Sequence, residues 1–157
     1  NSKNILLHEN KAMIYNFSLS AQLSYRGISI SEPKVKTTYT DPQCFLQANY
    51  LLDKRSDIYN LGMILWELTS GITPFYNSET DVNSIISQCR KEKEILGTPT
   101  EYINIYNKCW QVDPGKRPTL CEIKNVLDRL TNASIEFITN VTTKNSLCID
   151  SLNNDKN

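Results

Sequence analysis

The hydroxyl groups between residues 18 and 40 are the densest supply of modifiable side chains in this chain: Ser18, Ser20, Ser24, Ser29, Ser31, Thr37, Thr38, Tyr39 and Thr40. Their chemistry would be phosphate acceptance, because a phosphoryl group brings charge that a basic side chain can pair with, ordering a loop. The plain alternative is a solvated, hydroxyl-rich loop. Other reactive types are sparse. His8 is the single histidine and falls on a predicted hairpin, a poor setting for a general base. Five cysteines (Cys44, Cys89, Cys109, Cys121 and Cys148) form no CxxC pair and are odd in number. That pattern suits reduced thiols in an intracellular protein, not a disulfide framework or a zinc site. Asn-x-Ser/Thr triplets at Asn16, Asn132 and Asn140 read as coincidence in a chain rich in all three residue types.

The elements that must position such groups can be read from periodicity and punctuation. A chain of 157 residues has room for one domain with one core. Lys plus Arg and Asp plus Glu number 17 each, so no polyanion-binding surface is implied at the level of net charge, and nucleic acid is not expected as a partner. The longest strongly apolar stretch, Leu61–Leu68, is interrupted by Glu67. It is too short for a bilayer, which needs ~20 residues. The opening Asn1-Ser2-Lys3-Asn4 does not build a signal peptide.

Ile5–His8, a turn at Glu9-Asn10-Lys11 and Ala12–Tyr15 predict a short β-hairpin. A long segment without clear period follows over 16–43, and long ordered loops are often functional. From Ser56 to about Thr69 the pattern is helical, with apolar residues on nearly every face between Leu61 and Leu68. This helix is expected to be central and buried. Ser78-Glu79-Thr80-Asp81 can cap another helix running to about Arg90. Thr98-Pro99-Thr100-Glu101 starts a further one, with Ile103, Tyr106 and Trp110 on one side. Thr119-Leu120-Cys121-Glu122 repeats the capping signal before an Ile123, Val126, Leu127 and Leu130 stripe. Residues 131–157 are polar, expected to be partly disordered, with Ile135, Phe137 and Ile138 able to dock.

The run from Asp57 to Pro118 ties these elements together. Asp57 and Gly62 open the buried helix, followed by Trp66-Glu67-Leu68, Ser70-Gly71-Ile72-Thr73-Pro74-Phe75, Cys109-Trp110, Asp113-Pro114 and Lys116-Arg117-Pro118. In order and spacing, residues 1–130 resemble the C-lobe of a eukaryotic protein kinase domain, tyrosine-kinase-like in flavour. Asn1-Ser2-Lys3-Asn4 matches the end of the family's HRDLxxxxN catalytic loop, and Tyr15-Asn16-Phe17-Ser18 lies at the DFG position. Asp41-Pro42-Gln43 stands at the APE position, and Arg117 matches the late conserved Arg. The resemblance implies a mainly α fold with a short N-terminal β-hairpin, an activation segment over 16–43 and a polar tail over 131–157. It also implies that the half holding ATP, the N-lobe, lies outside these residues and is the natural partner of an apolar face left open on this lobe.

The family's chemistry is positioning of ATP and neutralisation of its phosphates by Mg²⁺. It uses a Lys, a catalytic Asp, an Asn and the DFG Asp, and of these only Asn4 is present in intact form, so no catalytic residue is assigned within this chain. Asn4 and Asn16 are the candidate cofactor-binding and metal-binding residues. Mg²⁺ prefers anionic oxygen, and Asn16 brings no charge. A unit charge lost at ~4 Å is worth up to about 4 kcal/mol at an effective dielectric near 20. Expressed in the transition state, that is a roughly 10³-fold slower reaction. Asn16 as a plain hairpin-end residue is the alternative.

Gln43, in place of the family's Glu, is expected to hydrogen-bond Arg117 in a weaker, charged–neutral tie. Asp57 would accept backbone N–H bonds from the catalytic loop, or serve only as a helix N-terminal acid. Three functions follow as expectations: part of an ATP-dependent protein kinase acting on Ser/Thr or Tyr, a pseudokinase-like protein-binding module, or a decayed kinase fragment. In all three the setting is intracellular, with a protein substrate or signalling partner and no membrane.

Overall fold

Strand β1 (Ile5–His8) pairs antiparallel with β2 (Lys11–Ile14) in the register Ile5 to Ile14 and His8 to Lys11. Only Glu9 and Asn10 remain for the turn, and both have positive φ, 48° and 61°. A two-residue loop with both central φ values positive matches the right-handed twist of its strands. The hairpin is the predicted one, with β2 starting one residue earlier than expected. This computed structural model describes residues 1–17, 28–29, 38–48, 50–76, 84 and 91–133. The expected helix over 78–90 lies outside the described residues except for Ser84, which is helical. Most of the hydroxyl-rich segment and the tail beyond 133 also lie outside them. A second antiparallel pair joins β3 (Ile28–Ser29) to β4 (Leu51–Leu52).

The chain divides into two compact units, Asn1–Leu120 and Cys121–Asn157. The first is built on helix α2 (Lys54–Ser70), which follows the single-turn helix α1 (Gln43–Leu46). It starts two residues before the predicted Ser56 because Asp53 caps it, its carboxylate accepting the Arg55 N–H at 2.7 Å. It stops at Gly71, whose φ of 72° takes the left-handed C-cap conformation and whose N–H reaches the Glu67 carbonyl.

Tyr59, Met63 and Trp66 form a buried i, i+4, i+7 row, with Ser56, Gly62 and Leu65 beside it. The helix is not buried all round as its composition suggested: Leu68 is 72% exposed, and Leu61 and Ile64 are half-buried.

Helix α3 (Thr100–Cys109) packs against α2. Pro99 stands just before its first residue rather than inside it. Its buried side carries Ile105, Tyr106 and Cys109, and Trp110 follows. Of the three residues expected there, Tyr106 and Trp110 are buried and Ile103 is half-buried. Tyr102, Tyr106 and Trp110 stack as a ladder with ring centroids 6.0 and 5.3 Å apart. The Tyr102 hydroxyl donates to the Leu65 carbonyl at 2.9 Å, and Trp66 Nε1 donates to the Lys93 carbonyl at 2.9 Å.

The helical run from 120 to 133, within the second unit from Cys121 on, buries Ile123 and half-buries Val126, Leu127 and Leu130, the stripe the sequence marks. No helix among the described residues is long and apolar enough to cross a membrane.

Gly62 sets how closely α2 and α3 approach. A Cβ there would lie 2.5 Å from the Cys109 Cβ and 2.7 Å from Trp110 Cδ1. Gly62→Ala is therefore expected to destabilise the chain by about 1–3 kcal/mol, the usual cost of overpacking. A fall in the urea midpoint with an unchanged slope is the measurement; an unmoved midpoint would contradict this account of the contact.

Candidate functional site

Two side-chain amides meet at the open end of the hairpin. The strand register continues one step past β1, so the Tyr15 N–H donates to the Asn4 carbonyl at 2.9 Å. Asn4 closes a 3₁₀ turn over Ser2–Asn4. Asn16 turns the chain with φ of 64°, a region Asn enters more readily than most side-chain-bearing residues. Its Nδ2 donates to Asn4 Oδ1 at 3.4 Å. The two candidate ligands, twelve positions apart in sequence, are thus neighbours.

What this pair can hold follows from its donors. Both are neutral, and one amide oxygen already accepts from the other residue. Magnesium takes one or two carboxylates together with several waters. The residues present therefore do not fit a divalent ion held by this chain's side chains alone, and no three His, Cys, Asp or Glu groups among the described residues could supply the charge. Ser18, the other departure at this position, lies outside the described residues.

Below the amide pair, one carboxylate holds two segments. Ser2 Oγ donates to Glu67 Oε1 at 2.9 Å, and the Tyr39 hydroxyl donates to Glu67 Oε2 at 2.5 Å. Helix α2 thereby positions both the turn that carries Asn4 and the end of the hydroxyl-rich segment. In the sequence Glu67 is marked as an interruption of an apolar run and as part of Trp66-Glu67-Leu68, with no signal of these two partners. Tyr39 is buried, and burial followed by the Glu67 contact pushes its phenol up to about 12. Of the hydroxyls considered as phosphate acceptors, this one is enclosed in the fold rather than solvated.

A third constellation surrounds Arg117, which follows the 3₁₀ turn Pro114–Lys116. The expected bond from Gln43 to Arg117 is not formed. Asp41 pairs with the guanidinium instead, at 2.6 Å from Nη1 to Oδ2 and 2.9 Å from Nη2 to Oδ1. The two side chains are 0% and 1% exposed. A guanidinium so deeply buried needs a charged partner, and a carboxylate matches its fork in a way that a single amide oxygen cannot.

The remaining donors are also met, by the carbonyls of Gln111 at 2.8 Å, Arg55 at 2.9 Å and Val112 at 3.4 Å. The Tyr59 ring lies 5.1 Å from the guanidinium carbon. Gln43 sends its Nε2 to the Val112 carbonyl at 2.9 Å, and its backbone N–H donates to Asp41 Oδ1 at 3.0 Å.

Asp57 stands in the first turn of α2, the helix N-terminal position. Partial burial of its carboxyl raises its pKa, and the neighbouring Asp53 charge adds to this. The structure brings Asn4 and Asn16 together and brings Gln43 close to Arg117; Asp57 belongs to neither cluster.

The Tyr39 contact has a pH signature. Its folded-state pKa lies above the ordinary 10.0, at about 12. Its contribution is therefore complete below pH 10 and is lost as pH rises toward 12, because the unfolded chain releases the proton first. Tyr39→Phe is expected to remove that part of the alkaline decline and to cost about 1.5–3 kcal/mol at neutral pH, as for a hydrogen bond to a charged group. Urea midpoints across this pH range provide the check.

The sequence has counterparts among known proteins. The family described as protein tyrosine and serine/threonine kinase matches residues 1–127. A fibroblast growth factor receptor of Strongylocentrotus purpuratus is 27% identical over 140 residues, covering 85% of this chain and 14% of the receptor. Ephrin type-B receptor 1 of Gallus gallus is 27% identical over 154 residues, covering 90% of this chain and 15% of the receptor. A mixed lineage kinase domain-like protein of Homo sapiens is 33% identical over 93 residues, 57% of this chain and 20% of that protein. The chain spans a fifth or less of the length of these curated relatives. With the family match running through the hairpin, α2, α3 and Arg117, the chain belongs to the protein tyrosine and serine/threonine kinase family.

Proposed function

We propose that this chain is the C-lobe portion of a protein kinase domain, serving in its whole protein the ATP- and Mg²⁺-dependent phosphorylation of Ser/Thr or Tyr side chains, and that it transfers no phosphate by itself. The carrying observation is the Asn4–Asn16 pair. It stands where the family resemblance places two metal ligands, yet it presents two neutral amides. Purified 1–157 incubated with ATP, Mg²⁺ and a mixed Ser/Thr/Tyr substrate is expected to give no transfer above background. Measurable transfer would refute the second half of the proposal.

Asn16→Asp is expected to introduce Mg²⁺ binding detectable by titration calorimetry, because the added charge is worth up to about 4 kcal/mol at ~4 Å. Binding no tighter than that of the unaltered chain would count against Asn16 as a ligand position.

The same neutral pair also favours a second reading, a pseudokinase-like module that binds protein partners without catalysis. The codons upstream of Asn1 discriminate between the two. A Gly-rich loop, a strand Lys and His-Arg-Asp there support the enzyme, and substitutions at those positions support the binding module.

Either reading gives the hairpin a partner. Leu7 and Ile14 share one face of β1–β2 and are 81% and 70% exposed, with Phe17 beyond them at 66%. This apolar surface supports packing of the kinase N-lobe, in an intracellular setting. The isolated chain is accordingly expected to bind a dye specific for exposed apolar surface, and Leu7→Ser with Ile14→Ser to weaken that signal. A dye-silent monomer would speak against the surface.

A further inference from the structure

We infer that Asp41 and Gln43 form an exchanged pair around Arg117: the carboxylate that ties Arg117 to the start of α1 sits at 41, and residue 43 is an amide because 41 is an acid. This goes beyond the proposed function and holds whether or not the protein transfers phosphate. It rests on how the two side chains divide a single polar pocket. Asp41 occupies both arms of the guanidinium fork, at 2.6 and 2.9 Å. Gln43 does not stand apart from that pocket. Its Nε2 and Arg117 Nη2 converge on the same acceptor, the Val112 carbonyl, at 2.9 and 3.4 Å. Residue 43 is therefore within reach of the guanidinium, and its chemistry is constrained by what residue 41 already supplies.

The constraint can be stated group by group. The Val112 carbonyl needs donors, and an amide at 43 is one. A carboxylate at 43 would face that carbonyl with a second acceptor and add an anion beside the first, where like charges repel. Conversely, an amide at 41 would leave the Arg117 charge buried without an anion, since its other partners are all backbone carbonyls. Asp41 also accepts the Gln43 N–H at 3.0 Å, so one carboxylate orders both the guanidinium and the start of α1. The arrangement works with one acid and one amide. Two acids or two amides leave a group unanswered. Gln43 is then the complement of Asp41 and not a mark of decay.

The test uses the full chain and three variants: Asp41→Asn, Gln43→Glu, and the two combined. Each single variant is expected to lower the folded-to-unfolded ratio by about tenfold or more, the effect of one buried polar group left unanswered. The combination, which moves the carboxylate from 41 to 43, is expected to recover at least half of the urea-midpoint loss of Asp41→Asn. A role for Asp41 in packing alone would make the two losses add. Additive losses in the combination, or a Gln43→Glu variant as stable as the parent, would overturn the inference. Should Asp41→Asn fail to fold, recovery of folded protein in the combined variant is the supporting outcome, and failure of both the opposing one. Hydrogen exchange at the Cys44 and Phe45 amides, whose N–H groups bond to the Asp41 and Pro42 carbonyls, localises the effect. It should quicken selectively in Asp41→Asn and slow again in the combination.

Discussion

A guanidinium with almost no exposure to water must have every donor answered inside the protein, and the first unit is arranged to do so for Arg117. Its five N–H groups reach one carboxylate and three backbone carbonyls. Those acceptors come from Asp41 ahead of α1, Arg55 in the first turn of α2, and Gln111 and Val112 after α3. One residue thus fastens three parts of the chain that are distant in sequence. Breaking such a pair from either side leaves a charge buried alone, which costs about 3–5 kcal/mol. The turn that presents Arg117 is itself set by Asp113, whose Oδ1 accepts the Gly115 N–H at 2.9 Å.

Helix α2 is the body on which the other parts are aligned. Gly62 lets α3 approach on one side, and Glu67 holds Ser2 and Tyr39 through its two oxygens. The hairpin is tied to the same helix by the hydrogen bond from Ser2, in the turn before it, to Glu67. Its exposed Leu7 and Ile14 show how little of its apolar surface these residues cover. Asn4 and Asn16 flank that hairpin, whereas Asp41 and Arg117 sit in the buried part of the unit. A neutral residue at 16 is therefore compatible with an intact charged pair at Arg117.

The amides at 16 and 4 are joined by one hydrogen bond at 3.4 Å, from Asn16 Nδ2 to Asn4 Oδ1. A site can keep its backbone geometry and lose its electrostatics, because the register of two strands sets the first and a single side chain sets the second.

The hairpin, both long helices of the first unit, the stripe from Ile123 to Leu130 and the special standing of Gly62 and Arg117 were legible in the sequence alone. Each has a local signature: alternation with a two-residue turn, helical periodicity, capping residues, or a motif at fixed spacing. The Asp41–Arg117 pair joins residues 76 positions apart, and Glu67 meets partners 65 and 28 positions away. No periodicity marks such contacts. Position 43 was the reasonable sequence choice for the partner of Arg117, and only the folded chain gave that place to Asp41. Sequence by itself determined the elements and the family, because local spacing encodes both. Tertiary structure decided which acid meets which base, because burial makes a guanidinium take the carboxylate that can reach it on both arms.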